Sequence, residues 1–424
     1  MPILESGLDF ESPVMVKVQQ HFPADHMSRD EIYSSLRQQC ADPRIRSKVK
    51  AGAKVAVAVG SRGIAELKFV VRTVIDWLKE QGTIPFIVPA MGSHGGGTSD
   101  GQRLVLEQYG ITEDDMAVPI DASMDTVQLG VVDGAPVYFS KAAYHADLVV
   151  PICRVKPHTD FKGPIESGVF KMLSIGLGKH KGAAALHSLG FRAFPTLIPN
   201  VGQFIIDHAP IGFSVCIVEN GYDDVATVQV VPAELTAEEE PKLLQLSKQL
   251  LPKINVDDIH LLIVDQIGKN ISGEGMDPNI TGRSPLPISH EGVPRIDRIA
   301  VLDLTEETHG NATGIGMADL TTVRCFRKID LSTTYANVIT AGLFNSAKIP
   351  VMLQNDREVI AVGLKSATTV EPPKARVVRI RDTLHLGEFW VSEVIAEELR
   401  HDHRFTVTNE RKPFLFDEQG NLTW

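Results

Sequence analysis

The feature that most restricts this 424-residue chain is a repeated pattern of short apolar run, glycine-rich loop and helical periodicity. Lys54–Val59 (KVAVAV) runs into Gly60-Ser61-Arg62-Gly63, after which residues 64–79 carry apolar side chains at helical spacing. Residues 84–88 repeat the run and end in a longer loop, MGSHGGGT at 91–98. A helical stretch to residue 109 follows, with Ser99 or Asp100 as its N-cap. A third run, DLVVPI at 147–152, reads as another buried strand. Strands alternating with helices in this way build a parallel α/β sheet. Glycine-rich loops at strand ends let backbone N–H groups and a helix N-terminus face an anion, most often a phosphate. Neither loop gives the dinucleotide pattern GxGxxG in the right place, and GxxxxGKT is absent, so tight βα turns explain either loop equally well.

The most unusual stretch, residues 153–188, begins where the third strand stops, and in α/β proteins ligands bind outside the carboxyl ends of strands. It holds His158, His180 and His187 and six Lys or Arg side chains in a glycine-rich setting. This basic cluster sits in a protein of formal net charge -11, a contrast that suits a small anionic ligand in a pocket. Without a basic arm or stripe, nucleic acid is excluded as a partner. With 43% hydrophobic and 22% charged residues the composition is that of an ordinary soluble protein. No apolar run approaches membrane-span length, and the acidic opening MPILESGLDF is no signal peptide, so a cytoplasmic location is expected. Cys40, Cys153, Cys216 and Cys325 form no CxxC pair and read as free thiols, Cys153 more as a buried structural residue than a reactive one.

A chain this long predicts more than one core. We expect an N-terminal α/β domain over residues 1–254, a second over 255–385, and a tail, 386–424, whose packing the sequence does not assign. A strand is predicted near residues 14–18, helices at 196–207 and 238–251, and a strand at 213–218. The second domain opens with a strand at 260–265 and a glycine-rich loop to Arg283 that carries Gln266 and Lys269. A strand at 299–304, helices at 332–343 and 358–364 and a strand at 375–381 follow.

His94, His158 and His187 all fall in loops or loop–helix junctions after predicted strands. Neutral imidazole is a common metal ligand, but no HxH, HExxH or carboxylate cluster accompanies them. General acid/base work at two faces of a substrate is the other reading. Lys171 lies in the apolar run VFKML, where a lysine is costly unless used, and a desolvated amine is a nucleophile or a tether.

Taken in order, these residues resemble the nickel-dependent lactate racemase family, which racemises or epimerises 2-hydroxy acids. Ser61-Arg62 is similar to the family's Thr-Arg motif, Gly92-Ser93-His94 to its Gly-Thr-His loop, and Lys156-Pro157-His158 to its Pro-His motif. Lys171, Gly176 and His187 match the spacing of its tether lysine and metal-binding histidine, and Gln266 and Lys269 match a Gln–Lys pair of its second domain. The resemblance implies two Rossmann-like α/β domains with a cofactor cleft between them, and closure of the 265–283 loop over substrate. It implies a nickel pincer cofactor, a pyridinium-derived mononucleotide with sulfur groups made by separate proteins and tethered to Lys171, with His187 on the nickel. Ser61, Gly92, Ser93, Gly95 and Gly96 would cradle the cofactor, and Arg62, Gln266 and Lys269 the substrate carboxylate. His94 and His158 would be the acid/base pair. Removing the α-hydrogen as a proton would leave a carbanion beside a carboxylate, whereas removing it as a hydride needs an acceptor that side chains lack. The spacing of thirteen residues from His158 to Lys171 is three longer than the family pattern. No tryptophan aligns with the one on the family's substrate side, so a larger hydroxy acid, including a sugar acid, is as good a candidate as lactate. The alternatives are a nicotinamide- or phosphate-ligand-dependent α/β enzyme and a non-catalytic binding protein for a phosphorylated anion.

Overall fold

The structure is a computed structural model, and it describes residues 10–60, 63–367 and 371–424. Strand β1 (Met15–Gln20) pairs only with strands from the end of the chain, described below. The next seven strands belong to a compact unit, Pro23–Leu251. They are β2 (Lys54–Val59), β3 (Ile84–Pro89), β4 (Thr126–Val132), β5 (Ala135–Ser140), β6 (Leu148–Arg154), β7 (Phe213–Glu219) and β8 (Val225–Pro232). Five form one sheet in the order β3-β2-β6-β7-β8, parallel except for β8. The alternation along β2 shows why it sits inside the sheet. Ala56 and Ala58 face one core with Val88, Phe139 and Phe170, while Val55, Val57 and Val59 face another with Val70 and Val74 of the helix Leu67–Glu80. Both faces are covered, as a parallel sheet requires.

The predicted strands and helices of this unit are present with shifted ends, the helices being Leu67–Glu80, Phe194–His208 and Thr236–Leu250. One cap differs: Thr98, not Ser99 or Asp100, opens the helix Ser99–Gln108, accepting from the Gly101 N–H at 3.1 Å. A hairpin of β4 and β5 was not expected. Asp133 and Gly134 join its strands with φ of 51° and 82°, the left-handed pair that a two-residue turn of this twist needs.

The second unit joins the described residues up to Phe22 to Pro252–Trp424. Its strands are β9 (Asp258–Ile267), β10 (Arg295–Leu304), β11 (Leu320–Thr322), β12 (Val351–Leu353), β13 (Val377–Ile380), β14 (Glu388–Ser392) and β15 (Phe405–Lys412). With β1 they form an eight-stranded sheet, β12-β11-β10-β9-β13-β14-β1-β15, parallel as far as β13 and antiparallel beyond it. The two units divide at Leu251 and Pro252, and the first strand, expected in the N-terminal domain, falls in the second unit. Val16 and Val18 find their apolar partners in Phe389 and Val391, so β1 and the 386–424 segment both belong to this sheet.

A candidate active site at the carboxyl edge of the first sheet

In the five-stranded sheet the chain leaves β2 toward β3 on one side and β6 toward β7 on the other. The crevice between the carboxyl ends of β2 and β6 is therefore the topological switch point, where open α/β sheets bind ligands. The segment carrying His158, Lys171 and His187 starts there.

Just beyond β6, Lys156 and Ser167 exchange backbone hydrogen bonds of 2.9 and 3.2 Å and close the intervening residues into a loop. Glu166 fills its interior. One carboxylate oxygen accepts from the His158 backbone N–H at 2.7 Å, and the other pairs with Lys248 at 2.7 Å. Pro164 to Ser167 thus belong to a built loop that keeps His158 in place. The Asp160 N–H donates to His158 Nδ1 at 2.9 Å, so the neutral ring carries its proton on Nε2.

The next helix begins at Val169 and includes Lys171. Over Met172–Gly176 it widens to a π turn, closed by the Leu177 N–H on the Met172 carbonyl at 2.8 Å, and it continues as Lys179–His187. Single π turns recur at functional sites. At its start the Phe170 N–H donates to the buried Glu240 at 3.1 Å. Burial pushes the Glu240 carboxyl up to about 8, against two backbone N–H bonds that favour the charged form. Its second oxygen, Oε1, is buried with no hydrogen-bond partner.

At the far end of the helix His187 Nδ1 donates to the Ala183 carbonyl at 2.6 Å, which leaves the Nε2 lone pair bare, as a metal ligand requires. Burial pulls the His187 pKa down, the Ala183 bond opposes this, and the charge of Lys171 lowers it further. Lys171 and His187 therefore act on each other through space. The Phe191 ring lies 5.5 Å from His187 and 6.1 Å from His158, so both histidines meet at one aromatic side chain.

The loop after β3 docks on this helix. Gly92 donates to the Gly176 carbonyl at 3.1 Å, and a β-carbon on Gly176 would stand 2.6 Å from the Ala90 oxygen. Such contact admits only glycine. Gln102 holds the loop from the other side, donating to the carbonyls of Gly92 at 2.9 Å and His94 at 3.3 Å. Gly92 is buried, Gly95 packs on Gly101, and Ser93 and Gly96 are exposed. Ser61 and Arg62 lie outside the described residues. Gln266 and Lys269 belong to the other unit, at and just beyond the end of β9. There the Gln266 N–H donates to the Arg381 carbonyl at 3.0 Å and the Lys269 amine to Gly273. Arg283 pairs with Asp319 at 3.1 Å.

Some basic residues of the stretch have structural roles: Lys181 covers the Tyr138 ring at 4.3 Å, and His180 packs beside Gly97. Cys153 is buried beside Cys216. Their hydrogen bond, then burial, holds its thiol well above the usual range, which makes it inert. Among the described residues no helix is long and apolar enough to cross a membrane, and no three His, Cys, Asp or Glu side chains form a metal-holding group. Glu166 and Glu240 were not anticipated. Their one sequence signal is position, a glutamate beside the histidine loop and another at the inward face of an amphipathic helix.

Fold and site together define a two-unit α/β protein whose candidate site stands at the switch point of its first sheet. Residues 7–194, a little under half of the chain, match the model of the lactate racemase N-terminal domain. The structure of the lactate racemase apoprotein from Thermoanaerobacterium thermosaccharolyticum aligns with 88% of this chain and 99% of its own, at 12% identity and a TM-score of 0.52. At that identity the likeness is one of fold. A crystal structure of a protein from Thermotoga maritima aligns with 66% of this chain and 71% of its own, at 14% identity and a TM-score of 0.49. No curated protein sequence matches the chain significantly.

Proposed function

We propose that the chain is a racemase or epimerase of a 2-hydroxy acid in which Lys171 and His187 hold a nickel pincer nucleotide and His94 and His158 handle the hydroxyl proton. The observation that carries this reading is the meeting of His158 and His187 at Phe191, with Lys171 acting on His187, at the switch point of the sheet. The residues fit such a group. His187 offers a bare Nε2, Lys171 offers an amine, and the loop at 92–97 offers backbone beside them. When bound, the group supplies the hydride acceptor that side chains lack.

The protein's own part is to orient substrate and to hold a proton. Arg62, Gln266 and Lys269 are assigned to the substrate carboxylate, whose charge suits two cations and an amide. His158, with its proton on Nε2, donates a hydrogen bond to the substrate's hydroxyl or keto oxygen. To take the hydroxyl proton on that atom, the ring must first give its Nε2 proton to solvent and take one on Nδ1, which requires Nδ1 to release the Asp160 N–H. His94 comes from a different strand end, so the pair is not confined to one loop.

The test is mass spectrometry of the intact protein and its peptides after production with the cofactor-making enzymes, with nickel measured in the same sample. An adduct on the Lys171 peptide, nickel near one per chain and interconversion of a 2-hydroxy acid are expected. Lys171→Ala should lose all three. An unmodified Lys171 without nickel, in a host that loads a lactate racemase, would overturn the reading.

A further inference from the structure

The loop that carries His94 is held from beneath by a buried lysine that the proposed reaction does not use. Lys179 is 0% exposed. Its Nζ donates to the carbonyl of Pro89, the last residue of β3, at 2.7 Å and lies 3.5 Å from Gln102 Oε1. Gln102, also 0% exposed, turns its amide N–H groups to the Gly92 and His94 carbonyls. Lys179, Gln102 and the His94 loop thus form one continuous hydrogen-bonded chain.

Two features mark Lys179 as more than filler. Its backbone is left-handed, with φ of 56°, at the junction of the π turn and the helix Lys179–His187, a conformation strained for any residue with a β-carbon. It also brings an amine into the interior, where burial lowers its pKa to about 8 with Asp121 opposing. An apolar side chain of the same length would fill the space without desolvating a charge. The loop has a matching need. Gly92, Gly95, Gly96 and Gly97 all have positive φ, and so many glycines give it little preference for one shape.

We propose that Lys179 and Gln102 form a relay that fixes the His94 loop against the Lys171 helix, making both positioning residues for His94. The catalytic meaning of the relay rests on the racemase reading; its structural meaning does not.

The test is hydrogen–deuterium exchange on the full-length apoprotein, comparing wild type with Lys179→Met and Gln102→Met. The amides of Gly92 and His94 are hydrogen-bonded and report on the loop directly. Their peptide, residues 91–98, should exchange about tenfold faster in either variant, the factor carried by one hydrogen bond to a charged group. The helix Leu67–Glu80 and strand β9 should keep wild-type rates. Unchanged loop exchange, or acceleration spread evenly over Pro23–Leu251, would overturn the relay. Should Lys179→Met fail to fold, Gln102→Met decides by the same two criteria. In cofactor-loaded protein, kcat should fall in both variants with KM little changed. A wild type that shows no racemase activity would sink the functional reading and leave the exchange result standing.

Discussion

Glu240 shows how one side chain ties stability to the site. Its carboxyl, raised from 4.5 to about 8 by burial, holds a proton in the folded chain that the unfolded chain has already released. The stabilising contribution of that proton is complete below pH 4.5 and is lost as pH rises toward about 8. Glu240→Gln keeps an acceptor for the Phe170 N–H and cannot ionise. Urea titrations across this window should show the variant losing a downward slope of at most about 1.4 kcal/mol per pH unit, the effect of one proton. Equal slopes in the two proteins would show that Glu240 does not titrate there. The sequence hides this residue because Glu238, Glu239 and Glu240 adjoin in a charged helix, where any glutamate reads as solvated. Only the packing of that helix on Phe170 selects which one turns inward. The histidines and Lys171 were legible because their chemistry is uncommon at glycine-rich strand ends. Arg62, which the proposed function assigns to the substrate carboxylate, lies outside the described residues.

At the scale of elements, the helix from Val169 to His187 is located by what approaches it. Gly176 meets backbone, whereas a β-carbon on Gly60 would stand 3.0 Å from the Met172 methyl, the free end of a flexible side chain. Gly176→Ala should therefore cost about 1–3 kcal/mol of unfolding free energy, as overpacking against a fixed neighbour does. Gly60→Ala should cost less, because Met172 adjusts. Comparable losses in chemical denaturation would argue against this close approach. Strands β2, β3, β6 and β7 could be read from their runs of Val, Ile and Ala, buried on both faces. The β4–β5 hairpin carries a signal of its own, the Asp133-Gly134 turn between alternating residues. The π turn had no signal, since its widening answers tertiary contacts with the β3 loop.

At the scale of the molecule, the unit Pro23–Leu251 is continuous in sequence and the other is not. A fragment of residues 23–251 should fold alone with a cooperative melt. A fragment of residues 252–424 should lack order in β15, whose strand partner is β1, until a peptide of residues 10–22 is added, visible as new dispersed amide resonances by NMR. A well-ordered 252–424 fragment without the peptide would contradict the pairing. The expected domain limits missed this because the registers Met15↔Ser392 and Met15↔Lys412 join residues so far apart that nothing near β1 announces them.

The position of β1 between β14 and β15 also sets an order of events during synthesis. β1 leaves the ribosome long before its two neighbours are translated. At ordinary elongation rates it waits on the order of tens of seconds, while the segment that follows it has time to fold as a unit. Throughout that interval Val16 and Val18 have no strand to cover them. β1 is therefore a transient client for whatever shields apolar strands on nascent chains, and its sheet is complete only when the much later β14 and β15 have been made.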